Sequence, residues 1–426
     1  MRINLVKAVP QESFAQSSWI PTTYEINALA NHHYVEEIDR VDQMWPWLRD
    51  NYGDTLAVSA PHTPHPESLN YRELSEEISN AAAAFHDLGI VQGDVVALFA
   101  ENSPRWLIAD QGLMRCGAVD AVRGVSAPVE ELHYIIDHSI SVGLIVQTAQ
   151  LWRDLNISEE QRKKLKLVIQ LEGDVLDKDV LGWKDFLSIG TKSDLSLLKE
   201  SFLKRESLPS TIATILYTSG TTGKPKGVPL THLNLLHQIK CLACIANPTP
   251  GSPVLSVLPI WHAYERSAEY YFFSCACTQH YTNKKQFKSD LSRVQPLVMA
   301  TVPRLWEAIQ LGFDEAIKKM PPLKRKLLKA ALNNSSSYKS SLRTAKNLLI
   351  ERVNPAFRFK AFLEANVRLP LHLMASLMLW PKVLKQLTGG KLLFPINGGG
   401  ALAPHVDLFF EALGVELLVG YGLTET

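Results

Sequence analysis

The chain has 426 residues, 46% of them hydrophobic and 20% charged, a balance that is ordinary for globular proteins and allows two or three structural units. Its 44 basic and 43 acidic residues leave a net charge of +1, so no overall field favours nucleic acid. The N-terminus has no apolar segment long enough for a signal peptide, and the most apolar run, residues 369–381, is too short to cross a bilayer. We therefore expect a cytoplasmic protein that rests on a membrane at most.

The N-terminal half is predicted to begin with a surface extension, residues 1–34, which shows no periodic pattern. From residue 35 to 208, segments with helical spacing of apolar residues alternate with short apolar runs. The predicted helices cover 69–89, 104–117 and 129–138, and the predicted strands cover 94–100 and 142–147. This alternation is typical of an α/β fold with a mostly parallel sheet, so 35–208 is predicted to form a first αβ subdomain.

A segment rich in Gly, Thr and Lys, residues 217–227, follows a predicted buried strand and has the sequence YTSGTTGKPKG. Glycines let backbone N–H groups close around an anion, and hydroxyl and ammonium groups add donors, so this composition indicates a polyphosphate site. It is not a Walker A loop, because Lys224 is followed by Pro225 instead of Ser or Thr. A solvated loop is the alternative for such a composition.

The segment resembles the phosphate-binding signature of the acyl-adenylate-forming enzymes, the family of acyl-CoA synthetases, luciferases and peptide-synthetase adenylation domains. The resemblance implies that ATP binds here, its β- and γ-phosphates held by Thr218, Ser219, Gly220, Thr221, Thr222, Gly223 and Lys226. Segments 102–110, 116–119 and 130–135 resemble the family's first lobe. The turn at 122–126 resembles the plastid and cyanobacterial branch, which loads fatty acids onto acyl-carrier protein, although Arg123 and Gly124 could also form an ordinary surface turn.

Residues 259–266, PIWHAYER, follow a predicted strand at 254–258 and resemble the family's second signature, a proline followed by a histidine and aromatics at the acyl site. An ordinary half-buried histidine is the alternative for His262. Because a carboxylate is already ionised at neutral pH, no general base is needed. We expect His262 and Trp261 to orient the fatty carboxylate and to wall its channel.

The remainder of the chain is predicted to form a second αβ subdomain, 209–426, with a helical insertion at about 314–387. A strand ending at 397 leads into Gly398, Gly399 and Gly400, where a flat ring could lie on the backbone; a tight strand–helix turn is the alternative. The resemblance makes this the adenine-contacting turn. It also implies roles for the segment after the last predicted strand, 415–420: Tyr421 would stack on adenine, Thr424 would bond the α-phosphate and Glu425 would bind Mg²⁺.

The implied fold is the N-terminal domain of an acyl-adenylate-forming enzyme, with a cleft between two parallel-sheet subdomains. The implied reaction is activation of a long-chain fatty acid as acyl-AMP, then transfer to the phosphopantetheine thiol of acyl-carrier protein. A fatty acid–CoA ligase, a P-loop phosphotransferase and a nucleotide- or acyl-binding module without turnover remain alternatives. Family members continue into a small C-terminal lid domain with a catalytic lysine, which this sequence lacks, so we expect poor activity from residues 1–426 alone.

The insertion has a local excess of positive charge. Nine basic residues and no acidic residue lie between 316 and 350. A solvated face is one explanation for such a run. The neighbouring apolar stretch, 369–381, favours another, a docking surface for lipid, for an acidic carrier protein or for both, in which Lys324, Arg325, Lys326 and Lys329 take part.

Overall fold

The computed structural model describes residues 23, 33–192, 196–205, 208, 210–218 and 224–425. A helical turn at His33–Glu36 and a 3-10 turn at Val41–Gln43 precede the first long helix. The helices are α1 Met44–Tyr52, α2 Tyr71–Asp87, α3 Pro104–Cys116, α4 Val129–His138, α5 Ala149–Leu155, α6 Glu159–Lys164, α7 Trp183–Gly190, α8 Ser196–Lys204, α9 His232–Leu242, α10 Ala263–Ser274, α11 Phe287–Val294, α12 Pro303–Lys318, α13 Pro322–Ala345, α14 Pro355–Met378, α15 Trp380–Thr388 and α16 Pro404–Leu413.

The strands form two seven-stranded sheets. They are β1 Leu56–Ala60, β2 Glu67–Asn70, β3 Val95–Phe99, β4 Val119–Arg123, β5 Gly143–Val146, β6 Leu167–Gln170, β7 Leu181–Gly182, β8 Ile212–Thr218, β9 Lys226–Thr231, β10 Pro253–Ser256, β11 Thr278–Tyr281, β12 Val298–Thr301, β13 Phe394–Asn397 and β14 Leu418–Val419. Sheet 1 has the order β7-β6-β5-β3-β4-β8-β9, and sheet 2 has the order β14-β13-β12-β10-β11-β1-β2. The pairs β8–β9 and β1–β2 are antiparallel, and the other neighbours are parallel. The predicted α/β class with two mostly parallel sheets is confirmed.

The predicted helices begin and end where their capping residues lie. Helix α2 begins after Asn70, whose side chain accepts a hydrogen bond from the backbone N–H of Glu73, and Glu73 bonds back to the N–H of Asn70. Helix α3 begins after Ser103 and ends at Gly117, which has a φ of 91° that favours glycine. Because these caps satisfy the free backbone groups at each helix end, they fix where the chain turns back toward the sheet.

The sheets do not divide at the predicted boundary between residues 208 and 209. Strands β1 and β2 come early in the chain but pair with β11 in sheet 2. Strands β8 and β9 come after residue 208 but complete sheet 1 beside β4. The chain therefore crosses between the sheets, and the apolar pattern that located each strand could not show which sheet it joins, because pairing partners lie far apart in sequence.

The carboxyl ends of the parallel strands carry the segments that the sequence analysis singled out. In sheet 2, β10, β13 and β14 lead into 257–262, 398–400 and 420–425, and β12 lies between β10 and β13. In sheet 1, β3, β4 and β8 lead into Asn102, Gly124 and the segment after Thr218. Crevices beyond the carboxyl ends of parallel strands are the usual place for ligands in open α/β sheets. Sheet topology thus places the predicted motifs of each sheet along one edge.

Candidate nucleotide and acyl site

The described ends of the phosphate-binding segment stand opposite each other in the antiparallel pair β8–β9. Thr218, the last residue of β8, faces Lys226, the first residue of β9. Lys226 is exposed and Thr218 is half-buried, so the side chains of both are open to a ligand. Ser219, Gly220, Thr221, Thr222 and Gly223 lie outside the described residues, and their phosphate-binding role stays a prediction.

Aromatic rings of α4 contact β8, the strand that leads into the phosphate-binding segment. His138 lies parallel to Tyr134 with ring centroids 5.1 Å apart, and its Nδ1 is 2.9 Å from the hydroxyl of Tyr217. Burial raises the pKa of Tyr217 to about 12, so the hydroxyl stays protonated. Lys224 lies over Tyr134, with its Nζ 5.6 Å from the ring centroid. The rings tie the end of α4 to the strand that leads into the phosphate-binding segment.

Residues 257–262, which follow β10 and which we call the acyl segment, contact residues of the sheet 1 half. The side chain of Asn102 donates to the carbonyl of Leu258 at 2.7 Å and accepts from the N–H of Ile260 at 3.0 Å. Trp261 lies against Gly124, and a Cβ built on Gly124 would come within 2.3 Å of the Trp261 ring carbon Cζ2. The turn that the sequence left open as an ordinary surface turn is therefore a contact between the two sheets.

His262 occupies the position just before α10, and its backbone N–H donates to the carbonyl of Pro259 at 3.1 Å. Its ring reaches solvent. The surrounding protein and the positive charge of Arg123 both lower the pKa of His262, so the ring is neutral at neutral pH. Arg123 itself is paired with Glu131, with Nε 2.8 Å from Oε1. A neutral imidazole beside a guanidinium could bond a carboxylate without abstracting a proton.

The glycine turn after β13 is shaped by Tyr264. The hydroxyl of Tyr264 donates to the carbonyl of Ile396 at 3.0 Å, and its ring covers Gly398, where a Cβ would lie 3.0 Å from the ring. Gly399 has a φ of +72°, a left-handed conformation that favours glycine. The side-chain amide of Asn397, just before the turn, is fully buried and has no hydrogen-bond partner among the described residues.

Residues 420–425, which we call the terminal motif, lie beside this turn because β13 and β14 are parallel neighbours. The N–H of Gly420 donates to the carbonyl of Asn397 at 2.8 Å, which brings the chain after β14 to the edge that carries Gly398–Gly400. Tyr421 is 94% exposed, Thr424 is half-buried and Glu425 is exposed. An exposed aromatic ring, a hydroxyl and a carboxylate are thus presented next to a flat glycine surface.

The structure therefore places the predicted residues in two groups, one after each sheet. Gly398, Gly399, Gly400, Tyr421, Thr424, Glu425 and His262 follow strands of sheet 2, and Thr218 and Lys226 belong to sheet 1. The sequence assigned no role to the five residues that support them. Asn102, Tyr134 and Tyr264 lie in segments that resemble the family, and the other two are His138 and Asn397. Gly124 had a signal, its unusual turn sequence, but its contact with Trp261 joins positions that lie far apart in the chain.

Comparison with known proteins gives one family and a group of ligases. A sequence model of the AMP-binding enzyme family matches residues 47–426. The chloroplastic long-chain-fatty-acid–[acyl-carrier-protein] ligase AEE15 of Arabidopsis thaliana is 36% identical over 409 residues, which cover 91% of this chain and 55% of that protein. Peroxisomal long chain acyl-CoA synthetase 6 of the same plant is 26% identical over 351 residues, covering 79% and 45%. The chain spans about half the length of these curated relatives.

Solved structures share the fold. The N-terminal domain of FACL13 from Mycobacterium tuberculosis superposes with a TM-score of 0.61 at 16% identity and covers 91% of this chain and 77% of that chain. The anthranilate CoA ligase AuaEII gives a TM-score of 0.64 at 14% identity, covering 92% and 62%. These identities are too low to carry function, and the TM-scores show that the chain shares the fold of both proteins.

Proposed function

Because the chain belongs to the AMP-binding enzyme family, we propose that it serves the ATP-dependent activation of a long-chain fatty acid through acyl-AMP, followed by transfer to a phosphopantetheine thiol of acyl-carrier protein. The observation that carries the proposal is the arrangement of the strand ends. Three parallel strands of sheet 2, β10, β13 and β14, present the acyl segment, the glycine turn and the terminal motif at one edge, and Gly124 joins that edge to sheet 1.

The first step is attack of the fatty carboxylate oxygen on the α-phosphorus of ATP, which forms the acyl phosphate bond and releases pyrophosphate. Attack of one anion on another is slow in water, so the protein must position both and neutralise their charge. In the proposal the β- and γ-phosphates are bound by Lys226 and Thr218 together with Ser219, Gly220, Thr221, Thr222 and Gly223. Thr424 donates to the α-phosphate. A thiol then attacks the acyl carbonyl and AMP leaves.

Mg²⁺ prefers one or two carboxylates with phosphate oxygens as its other ligands, and Glu425 is the carboxylate that the terminal motif offers. When bound, the ion would neutralise phosphate charge. The fit of adenine rests on Gly398, which has no room for a side chain under Tyr264, and on the amide of Asn397. A buried amide without a partner is costly, and an adenine ring at this turn would offer it hydrogen-bonding groups. Tyr421 would cover the other face of the ring.

His262 and Trp261 are proposed to orient the fatty acid. The lowered pKa of His262 makes it a hydrogen-bonding group instead of a fixed positive charge. Trp261 is 7% exposed and is held by Gly124, so it forms a rigid wall instead of a mobile lid. The residues thus position the carboxylate, and they take no proton from it.

The acceptor separates two closely related activities. The relative that is 36% identical has a name that specifies acyl-carrier protein as its acceptor, whereas the relative that is 26% identical is named an acyl-CoA synthetase. The higher identity supports acyl-carrier protein, and coenzyme A is the second candidate. Offering both thiols to the enzyme at equal concentration, with palmitate and Mg·ATP, would separate them by the thioester formed.

The proposed activity is tested by fatty-acid-dependent exchange of pyrophosphate into ATP, together with calorimetric binding of a non-hydrolysable acyl-adenylate. We expect Glu425→Gln and Lys226→Ala each to weaken Mg·ATP binding by about 1.5–3 kcal/mol, since each removes a charged contact to phosphate or metal. Glu416→Gln and Lys391→Ala, two exposed residues outside the motifs, are the matched controls. Tight binding of the adenylate without any pyrophosphate exchange would favour the binding-module alternative. Failure to bind both the adenylate and Mg·ATP would contradict the proposal.

We also propose that the helical insertion contacts a membrane surface. No helix in the part of the chain that the structure describes is long and apolar enough to span a bilayer, so the contact would be peripheral. The cytoplasmic location stays a prediction, since two of the similar Arabidopsis proteins carry the word chloroplastic in their names. Which surface of the insertion would meet the lipid follows from the orientation of its helices.

A further inference from the structure

The insertion consists of two long antiparallel helices, α13 and α14, followed by the short helix α15. Ser335 of α13 bonds His372 of α14 at 2.9 Å, and the carbonyl of Ala345 accepts from Arg358 at 3.3 Å. The start of α13 therefore lies beside the end of α14. At its other end, α13 is anchored to α16 by Arg343, which contacts Asp407 at 3.2 Å.

The large apolar residues of helix α14 are exposed, whereas in a helix that packs on a core they would be buried. The residues that it buries against α13 are small or polar, namely Ala361, Ala365, His372 and Ala375. On the opposite side, a set that we call the outward stripe points away from the protein: Phe359, Leu363, Val367, Pro370, Met374 and Leu377. At 100° per residue these six positions fall within about 80° of one another. The stripe is apolar throughout.

The outward stripe is solvent-exposed in this structure. Val367 is 81% exposed, Leu377 is 78% exposed and Phe359 is 63% exposed. From Phe359 to Leu377 the stripe is about 27 Å long at 1.5 Å per residue. Further exposed apolar residues flank it, including Phe362, Leu373 and Met378. An apolar surface of this length is unusual on a protein that is alone in water, and it marks a binding surface.

The charge around the stripe is positive at both ends. Between residues 316 and 406 there are 16 basic residues and two acidic ones, Glu351 and Glu364. Lys324, Lys326 and Lys329 are exposed at the start of α13, which lies beside the end of α14. Lys360 is exposed near the start of α14. Basic residues that flank an apolar helix face complement the headgroups of an anionic lipid surface.

We propose that α14 lies in the plane of an anionic lipid bilayer, with the outward stripe at the boundary between headgroups and acyl chains. This inference rests on the membrane contact proposed above and is independent of the ligase activity. Lipid accounts for both halves of the observation, the apolar stripe and the basic flanks. An acidic carrier protein would match the lysines but would leave the stripe in water, and a second copy of this basic hairpin would bring like charges together.

The test is co-sedimentation of the chain with vesicles of phosphatidylcholine alone and of an equal mixture with phosphatidylglycerol. The chain should bind both and should bind the mixture more tightly. Val367→Gln combined with Met374→Gln should weaken binding to both vesicles by about tenfold, since two apolar side chains no longer insert. Lys324→Glu combined with Lys326→Glu should abolish the preference for the anionic mixture and leave the weaker binding to neutral vesicles.

The matched control is Leu176→Gln combined with Leu233→Gln, two leucines that are 72% and 53% exposed outside the insertion; it should bind as the unchanged chain does. Pyrophosphate exchange measured without vesicles should be the same in all these variants, so failure of the lipid proposal is distinguishable from failure of the ligase proposal. Vesicle binding that the outward-stripe variant leaves intact would overturn the inference. A dimer in analytical ultracentrifugation that this variant dissociates, without vesicle binding, would overturn it in favour of a second copy.

Discussion

Helices α10 and α14 differ in which side chains they bury and which they expose. Helix α10 lies between the two sheets and buries ionisable groups, and α14 lies at the surface and exposes apolar ones. In α10, Arg266 contacts Asp110 and Asp120 and donates to Thr214 at 2.7 Å, all three residues belonging to the sheet 1 half. One position earlier, Glu265 faces sheet 2 and accepts from Ser256 at 2.6 Å.

The difference shows how each helix obtains its position. Arg266 and Glu265 reach these partners only when both sheets take up one relative arrangement, since each partner lies on a particular strand or helix. Helix α14 makes no comparable demand on the fold, because small residues at its seam allow close packing against α13 and its large apolar residues are mostly exposed. One helix therefore fixes the site internally, and the other is available to a partner.

The largest expected effect comes from Arg266→Met, which keeps most of the side-chain volume and removes the guanidinium. Asp110 and Asp120 would remain buried without their positive partner. We expect a loss of about 3–5 kcal/mol in the free energy of unfolding, measured by urea denaturation. Arg343→Met is the matched control, because Arg343 also pairs with two carboxylates but is partly exposed, and it should lose about 1 kcal/mol or less. Equal losses in the two variants would show that α10 does not depend on its buried charges.

A second prediction concerns the pH dependence of stability. Burial raises the pKa of Glu265 to about 8, so the folded protein keeps a proton that the unfolded chain releases near its ordinary value. This proton's contribution is fully present below the unfolded pKa and is lost as pH rises through the folded pKa. Stability should fall by about 1.4 kcal/mol per pH unit over that window from this group alone.

Glu265→Gln should remove this part of the slope, because a neutral amide keeps the bond from Ser256 and has no proton to lose. The variant should therefore gain stability over the unchanged protein as the pH of the urea titrations rises from acidic toward the pKa of about 8. Glu416→Gln, at an exposed position, should leave the slope as it is. Parallel slopes for Glu265→Gln and the unchanged protein would mean that Glu265 is ionised in the fold.

A smaller effect is expected from Gly124→Ala, which tests the contact between the sheets at the acyl segment. The new methyl group would overlap the Trp261 indole, so either the ring or the turn must move, at a cost of about 1–3 kcal/mol. In the exchange assay the KM for fatty acid should rise more than the KM for ATP. Gly312→Ala is the control, since that helical glycine has nothing within 4 Å of a new Cβ and should be neutral or slightly stabilising. Similar KM values for fatty acid in both variants would remove Trp261 from the acyl site.

The sequence was sufficient for what depends on local pattern. The helix at 129–138 was predicted with the observed bounds, and the helix predicted at 104–117 is α3, Pro104–Cys116. The sequence could not predict that β1 and β2 join sheet 2 while β8 and β9 join sheet 1, because this depends on pairing between distant segments. For the same reason the sequence did not show the contacts of Asn102 and Tyr264, although both lie in segments that resemble the family; they bond backbone carbonyls that no sequence motif specifies.

The sequence also could not predict which side of the insertion helix α14 is exposed. The sequence indicated an apolar stretch at 369–381, yet the outward stripe begins ten residues earlier, at Phe359. Periodicity alone could not separate the outward stripe from the buried seam. An apolar stripe at helical spacing ordinarily faces the core, and here the alanines and His372 do so instead. Which side of an amphipathic helix is buried is a property of its neighbours.

The smallest expected effect comes from Val367→Gln, which tests whether the outward stripe of α14 is packed in the folded chain. Val367→Gln should change the free energy of unfolding by about 0.5 kcal/mol or less, because the side chain is already 81% exposed and folding buries little of it. Ala365→Leu, two positions earlier in the buried seam, should cost about 1–3 kcal/mol by forcing α14 away from α13. Urea denaturation of both variants without lipid gives the comparison. A loss of about 2 kcal/mol for Val367→Gln would mean that the outward stripe is packed in the folded chain. With no such loss, Val367 contributes little to folding, and the role of the outward stripe must be sought in binding.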